Sequence, residues 1–169
     1  SLIAKQLREE QTLSLLEVIP CTASLYIEFH ILDTDLTELE DRIHHLARTH
    51  TRSEQENQRI ELPVYYHPEV APDLVDLAER NKLSVEEVIQ IHSDTLYTVA
   101  SLGFAPGFAY LSGLDPRLAT PRLSEPKTVA KGSLGIADQQ TAIYPNQSPG
   151  GWSIIGNCPL DLYDLTSTP

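Results

Sequence analysis

Apolar residues in the first part of the chain follow a helix, strand, strand, helix pattern. Residues 1–10 have the spacing of a short helix, with Ile3 and Leu7 on one face, and residues 15–19 form a brief apolar strand. Residues 24–32 alternate apolar and polar side chains, which predicts a strand with one buried face. Residues 35–50 then repeat leucine and isoleucine at helical intervals.

The second helix has a polar start and is followed by a polar linker. Asp33 or Thr34 is the predicted cap of this helix. Residues 51–59 are polar and are typical of a loop. We therefore predict a ferredoxin-like α+β domain over residues 1–59, with its expected first strand absent.

The pattern changes after residue 60 towards a mainly β fold. Residues 60–66 look like a strand, and Pro63 suggests that this strand lies at a sheet edge or at an entry point. A short helix follows Pro72, and a Ser-Val-Glu-Glu capping box at residues 84–87 begins a second helix that reaches His92. An extended segment at 95–101 and short strands between Pro/Gly turns then predict a small β-barrel over residues 60–169.

Composition and charge narrow the classes of partner. The net charge is −12, with 24 acidic and 12 basic residues and no basic cluster, so nucleic acid and anionic membranes are not expected partners. No apolar run is long enough to span a bilayer, and no leader is visible, which predicts a cytoplasmic protein. The six histidines and two cysteines lack metal-ligand spacing, so we predict no metal site.

The chemistry-bearing segments are the ones that contain glycine. All eight glycines lie between Gly103 and Gly156, and they concentrate in two stretches, residues 102–111 and 148–156. Each stretch combines glycine and proline with aromatic residues, which suits a pocket wall with accessible backbone N–H groups. A turn that packs its aromatic side chains inside the fold, and a hairpin anchored by Trp152, are the alternatives.

A third stretch, residues 140–145, offers neutral polar groups. The side chains of Gln140 and Thr141 supply donors and acceptors of the kind that orient an amide or a carboxylate. Ordinary surface polarity beside a turn explains the same pair equally simply. Residues 103–156 carry four bases and three acids, so this region would accept an anionic small molecule without strong repulsion.

These stretches together resemble the family of the 5-oxoprolinase B subunit, which also includes KipI and allophanate hydrolase subunit 1. The resemblance lies in GFAPGFAYLSGLDPRLATPR at 103–122, KGSLGIA at 131–137 and QTAIYPNQSPGGWSIIGNCPLDLYD at 140–164. It implies a cyclophilin-like β-barrel over residues 60–169, whose last strand is missing here. Asp138-Gln139 departs from the family, which usually has glycines there, so this loop is expected to be stiffer or more acidic.

The resemblance also implies an activity and partners. The family works with a homologous C subunit, and with an A subunit of the LamB/YcsF type, to open the small amide 5-oxo-L-proline to L-glutamate with ATP as co-substrate. No Walker-type phosphate loop is present, so any ATP site is unorthodox or shared with a partner. We expect the B-type chain to be inactive by itself.

The chemistry that this activity needs, hydrogen-bond donors, a proton carrier and phosphate handling, leads to a hypothesis for the site residues. His92 and Gln140 are the predicted catalytic residues, His92 as a proton carrier or substrate-positioning group, although a histidine at a helix end also suits a structural role. The predicted substrate- or nucleotide-binding residues are Gly103, Phe104, Pro106, Gly107, Phe108, Tyr110, Thr141, Tyr144, Pro149, Gly150, Gly151 and Trp152.

Two rival interpretations stay open from the sequence. The first is a KipI-like inhibitor that binds a sensor histidine kinase. The second is a carboxyltransferase subunit of the allophanate or urea amidolyase type, which would need a biotin carrier and a carboxylase in the same pathway; this chain contains neither.

Overall fold

The computed structural model describes residues 2–10, 14–21, 24–49 and 59–163, which fall into two units, Ser1–Arg59 and Ile60–Pro169. The first unit has the predicted order of elements: α1 (Leu2–Glu9), β1 (Leu15–Pro20), β2 (Leu25–Phe29) and α2 (Leu36–Thr49). The two strands pair antiparallel. The helix, strand, strand, helix order is therefore confirmed. The described residues of this unit contain just these two strands, so the ferredoxin-like assignment stays a prediction.

Both helices bury one apolar face against the strand pair. The fully buried members of this core are Ala4, Leu7, Val18, Leu39 and Leu46. Burial of a leucine side chain contributes about 1.5–3 kcal/mol, so this small core holds the unit together.

Two details of the first unit differ from the sequence predictions. The second strand ends at Phe29, and Ile31 lies in the following turn with 74% of its surface exposed. Alternation alone does not reveal this end, because the turn continues the apolar pattern. The cap is Asp35, not Asp33 or Thr34: its Oδ1 accepts the N–H groups of Thr37 and Glu38 at 2.8 and 3.3 Å. The predicted linker at 51–58 lies outside the described residues.

The second unit contains two helices, a 3₁₀ turn and seven strands in its described part. These elements are α3 (Leu74–Arg80), α4 (Val85–Asp94), β3 (Thr98–Leu102), β4 (Ala109–Ser112), the 3₁₀ turn (Pro116–Leu118), β5 (Lys127–Val129), β6 (Ser133–Ala137), β7 (Gln140–Ile143), β8 (Ser148–Gly150) and β9 (Ser153–Asn157). Five strands form an antiparallel sheet in the order β3-β4-β7-β6-β9, and β5 pairs with β8. The capping box of α4 is confirmed, with Ser84 and Glu87 bonded reciprocally.

The described strands form an open sheet, so the predicted closed barrel is not confirmed. One outer edge is β3, and the other is β9. The strand predicted at residues 60–66 is wrong, although the segment does meet the β9 edge. They contribute a single antiparallel bridge, from Tyr65 to Asn157, with N···O distances of 2.8 and 2.9 Å. Pro63 removes a backbone donor from this segment, which limits further pairing.

The five-stranded sheet separates two layers of the second unit. On one face, Leu134, Ile136 and Ile143 pack with apolar residues of α3 and α4. On the other face lies a second core, formed by Phe108, Val129, Ala137, Ala142, Tyr144, Trp152 and Ile154. Successive residues of a strand point to opposite faces, so each strand contributes to both layers. We call these the helix face and the aromatic face of the sheet.

Candidate functional site

Five predicted aromatic residues from three separate segments meet on the aromatic face. Phe108 is the centre of this cluster, with its ring centroid 5.2 Å from Phe104, 4.8 Å from Tyr110, 5.3 Å from Tyr144 and 5.9 Å from Trp152. The contacts are edge-on, which is the favourable geometry for aromatic pairs. The structure therefore brings together all the aromatic residues that the sequence predicted for the site.

Two of the predicted glycines are required by close packing around this cluster. A Cβ on Gly150 would overlap the Tyr144 hydroxyl and lie 2.8 Å from its Cζ atom. Gly107 has φ +79°, and a Cβ there would lie 2.8 Å from Cβ of Tyr163. Both distances are shorter than side chains tolerate, so the sequence signal of glycine here reports close packing.

The loop between β3 and β4 uses part of its own backbone donors. The N–H of Gly103 donates to the carbonyl of Phe108 at 3.3 Å, and the N–H of Ala105 donates to Gly103 at 2.8 Å. The Gly103 donor that was predicted to face a ligand is thus engaged within the loop. Pro106 is exposed in the same loop.

Phe104 differs from the other members of the cluster. Its φ is +69°, a left-handed conformation that is unfavourable for a bulky side chain, and 63% of its surface is exposed. Phe108, by contrast, is 2% exposed. The backbone therefore holds one aromatic ring at the surface of a cluster whose other rings are buried or half-buried.

His92 lies in a buried hydrogen-bonded network on the helix face. Its Nε2 is 3.1 Å from Oγ1 of Thr141, and its Nδ1 is 2.8 Å from the hydroxyl of Tyr66. Thr141 Oγ1 also donates to the carbonyl of Gly135 at 2.9 Å. The Tyr97 hydroxyl donates to the backbone carbonyl of His92 at 3.0 Å. The structure thus joins two predicted residues, His92 and Thr141, with two tyrosines that were not predicted.

Burial decides the charge of this network. Desolvation lowers the pKa of His92 to about 4, so the imidazole is neutral near pH 7. Burial also raises the pKa of Tyr97 to about 12, and it raises the pKa of Tyr66 further. All three groups are therefore neutral at physiological pH.

The side chains of Gln140 and Thr141 lie on opposite faces of the sheet. Thr141 pairs with Ile136 on the helix face, and Gln140 pairs with Ala137 on the aromatic face. Adjacent strand residues alternate, so the two side chains cannot close on one small molecule together. The structure places Gln140 with the aromatic residues and Thr141 with His92.

The turn before Gln140 explains the departure from the family pattern. Asp138 and Gln139 form the two-residue connection between β6 and β7, and Asp138 has φ +52°. Aspartate tolerates this conformation better than most residues, so it stands where glycine would be easiest. Backbone bonds between Asp138 and Thr120, at 2.6 and 3.2 Å, hold the turn in place.

A buried carboxylate beside β9 was missed by the sequence analysis. Asp73 accepts the N–H of Ile154 at 2.8 Å, and its Oδ1 is 3.5 Å from Nζ of Lys127. Lys127 pairs with Gly150 in the strand ladder, next to the exposed Pro149 and the half-buried Gly151. No local motif indicates this contact, because Asp73 and Ile154 are far apart in sequence.

A cleft of about 400 Å³ lies elsewhere, between α4 and the 3₁₀ turn. It is lined by Glu87, Gln90, Ile91, Asp94, Thr95, Asp115 and Arg117. Arg117 is bonded to Asp115 at 2.7 and 3.0 Å, and this contact lowers the pKa of Asp115 to about 2. The cleft contains none of the predicted site residues.

Two absences hold for the part of the chain that the structure describes. No group of three or more His, Cys, Asp or Glu side chains is arranged there to hold a metal ion. None of its helices is both long and apolar enough to cross a membrane.

The whole sequence, residues 1–169, matches the family described as "Carboxyltransferase domain, subdomain C and D". The chain belongs to this family. It is 45% identical over 134 residues to the 5-oxoprolinase B subunit of Bacillus subtilis, covering 78% of this chain and 54% of that protein. It is 38% identical over 162 residues to the corresponding protein of Haemophilus influenzae, covering 95% and 75%. The family resemblance seen in the sequence is confirmed.

A solved structure shares the fold. The crystal structure of TTHA0988 superimposes with a TM-score of 0.82 at 32% identity, covering 98% of this chain and 32% of that chain. The mixed, sheet-rich α and β fold is therefore shared with a known structure. The chain spans about half the length of the Bacillus subtilis relative that it matches, and three-quarters of the Haemophilus influenzae one.

Proposed function

We propose that this chain forms part of the B subunit of ATP-dependent 5-oxoprolinase, which opens 5-oxo-L-proline to L-glutamate together with the A and C subunits. The observation that carries the proposal is the 45% identity to a 5-oxoprolinase B subunit. The name of that relative implies a hydrolase component with partner subunits. The proposal includes the finer fold: a ferredoxin-like domain at 1–59 and a cyclophilin-like barrel at 60–169.

The aromatic face is the proposed substrate-binding surface. A lactam has one N–H donor and one carbonyl acceptor, and the Gln140 amide supplies the complementary pair on a single side chain. Gln140 is half-buried on the same face as the aromatic cluster. Phe104, exposed beside that cluster, is a further proposed contact for a substrate or nucleotide on this face.

The partners are proposed to supply the phosphate chemistry. In the proposed reaction, the γ-phosphoryl group of ATP would pass to the amide oxygen with release of ADP. One water would then add to the amide carbon and break its C–N bond, and a second water would release phosphate from the acyl phosphate, which leaves a carboxylate and an ammonium group. Negative charge is spread over the oxygens of the transferring phosphoryl group, where hydrogen-bond donors are most effective. The region 103–156 has a near-neutral charge balance, which is compatible with a shared site for ATP at an interface with the A or the C subunit.

Reconstitution tests this function. The full-length protein is mixed with the A and C subunits, and 5-oxoproline-dependent ATP hydrolysis and glutamate formation are measured, with each component omitted in turn. We expect turnover in the complete mixture and none when this protein is left out. No turnover in a complete mixture of folded components would overturn the proposal.

Gln140→Ala tests the placement of the substrate, with Gln139→Ala as the matched control. Gln139 is the same residue type, one position earlier, and exposed in the turn. Loss of a bond to the substrate is expected to raise the KM for 5-oxoproline about tenfold in Gln140→Ala. Gln139→Ala is expected to keep the KM of the unchanged protein. Equal effects of the two changes would contradict the proposed role of Gln140.

A further inference from the structure

The network around His92 has a defined direction of hydrogen bonding. A threonine hydroxyl has one proton, and that of Thr141 donates to the Gly135 carbonyl at 2.9 Å. Thr141 Oγ1 must then accept from Nε2 of His92, which is 3.1 Å away. Nε2 therefore carries the imidazole proton, and the bare Nδ1 accepts from the Tyr66 hydroxyl at 2.8 Å. Each donor in this series has one acceptor.

This arrangement does not suit a group that carries protons to a substrate. His92 is 5% exposed and Thr141 is fully buried, so solvent has little access to His92 and none to Thr141. Both ring nitrogens already have protein partners. A proton carrier needs at least one nitrogen within reach of the reacting group or of water. The lowered pKa of His92, about 4, agrees with an imidazole that is neutral near pH 7.

The network can still act on the proposed site through strand β7. Thr141 is held by two hydrogen bonds on the helix face, and Gln140 is the preceding residue, directed to the aromatic face. β7 lies in the middle of the sheet, between β4 and β6. A displacement of Thr141 would therefore be transmitted along the backbone to the Gln140 side chain.

We infer that His92 is a positioning residue, which acts through Thr141 to fix the orientation of Gln140, and that Tyr66 holds the His92 ring in the required tautomer. This inference rests on the proposed function where it assigns substrate contact to Gln140. The hydrogen-bond direction and the link from Tyr66 to Gln140 do not depend on that function.

The first test is spectroscopic and needs no activity. Long-range nitrogen–proton NMR correlations of the imidazole are expected to show the Nε2–H tautomer in the full-length protein. Tyr66→Phe is expected to shift the Gln140 side-chain amide resonances, and Tyr65→Phe is not. Tyr65 is the matched control, because it is an adjacent, exposed tyrosine. An Nδ1–H tautomer, or Gln140 resonances that do not move, would overturn the inference.

The second test is kinetic and uses the reconstituted complex. Misplacement of Gln140 is expected to raise the KM for 5-oxoproline about tenfold in Tyr66→Phe and Thr141→Val, with an unchanged shape of the pH–rate profile. Thr141→Ser keeps the hydroxyl and is expected to restore the KM. Loss of one ionisation from the profile of a His92→Gln complex would show a proton carrier and overturn the inference.

The two proposals fail in different ways. Absence of turnover with the unchanged protein refutes the oxoprolinase function. The NMR measurements still show whether His92 has the inferred tautomer and whether Tyr66 is linked to Gln140. Normal turnover with unmoved Gln140 resonances in Tyr66→Phe refutes the positioning role alone.

Discussion

Acidification from about pH 7 to about pH 5 is expected to destabilise the second unit through His92. The imidazole is buried between Tyr66, Tyr97 and Thr141, and none of these groups gains a proton in this range. Protonation would put a charge where burial opposes it, and Nδ1, which now accepts from Tyr66, would become a donor. The folded protein therefore resists protonation of His92, whereas the unfolded chain does not.

The sign and size of the effect follow from the two pKa values. The pKa of His92 is lowered from 6.5 to about 4, so between these values the unfolded state binds more protons than the folded state. Stability then rises with pH in this window and is lost as the pH falls through it. The neutral His92 leaves the free energy of unfolding almost unchanged near pH 7 and lowers it by about 2 kcal/mol at about pH 5.

Urea unfolding at a series of pH values measures this loss. His92→Gln is expected to be less stable near pH 7, because two buried hydrogen bonds are disturbed. Its stability deficit should shrink by about 2 kcal/mol towards pH 5, because the variant has no imidazole to keep neutral. The control, His44→Gln, changes a histidine of α2 outside this network and should follow the unchanged protein. A deficit of His92→Gln that is independent of pH would refute the reasoning.

Two further predictions concern packing on the aromatic face, and urea unfolding measures both. Gly150→Ala is expected to lower the free energy of unfolding by about 2 kcal/mol, because the new Cβ overlaps Tyr144. Gly103→Ala, with nothing within 4 Å of its Cβ, should have almost no effect, and equal losses would contradict the close packing. Phe108→Ala is expected to cost about 4 kcal/mol as a cavity forms, whereas Phe104→Ala should cost less than about 1 kcal/mol. A comparable cost for Phe104 would show that its exposed ring is part of the core.

Local signals in the sequence predicted local structure well. The capping box at Ser84 predicted the start of α4, because both of its hydrogen bonds lie within four residues. The alternation at residues 24–32 predicted β2 for a similar reason, because a strand with one buried face shows its two-residue period along the chain. The strand predicted at 60–66 does not form. Its pairing would depend on the backbone groups of β9, which is distant in sequence, and only one bridge forms between them.

The candidate site was predictable in its residue types but not in its arrangement. Glycine, proline and aromatic residues marked the segments that meet around Phe108. The pairing of Tyr66 with His92, and of Asp73 with Ile154, had no sequence signal, because each depends on how distant segments pack. Strand register also determines which predicted residues lie together, because it assigns each strand residue to one face of the sheet.

The Gln-Thr pair shows how register changes the interpretation of a motif. In the sequence, Gln140 and Thr141 form one polar unit, and a shared grip on a substrate is the simplest interpretation. In the sheet, Thr141 faces the helices and joins a closed hydrogen-bonded network, while Gln140 faces the aromatic cluster. In the proposed site, the pair therefore combines an anchor, Thr141, with a substrate contact, Gln140, and the backbone of β7 connects them. A substitution of Thr141 should then change substrate binding indirectly, by displacing Gln140, although Thr141 itself does not contact the substrate. If both residues held the substrate directly, Thr141 would have to be accessible to it, and it is fully buried.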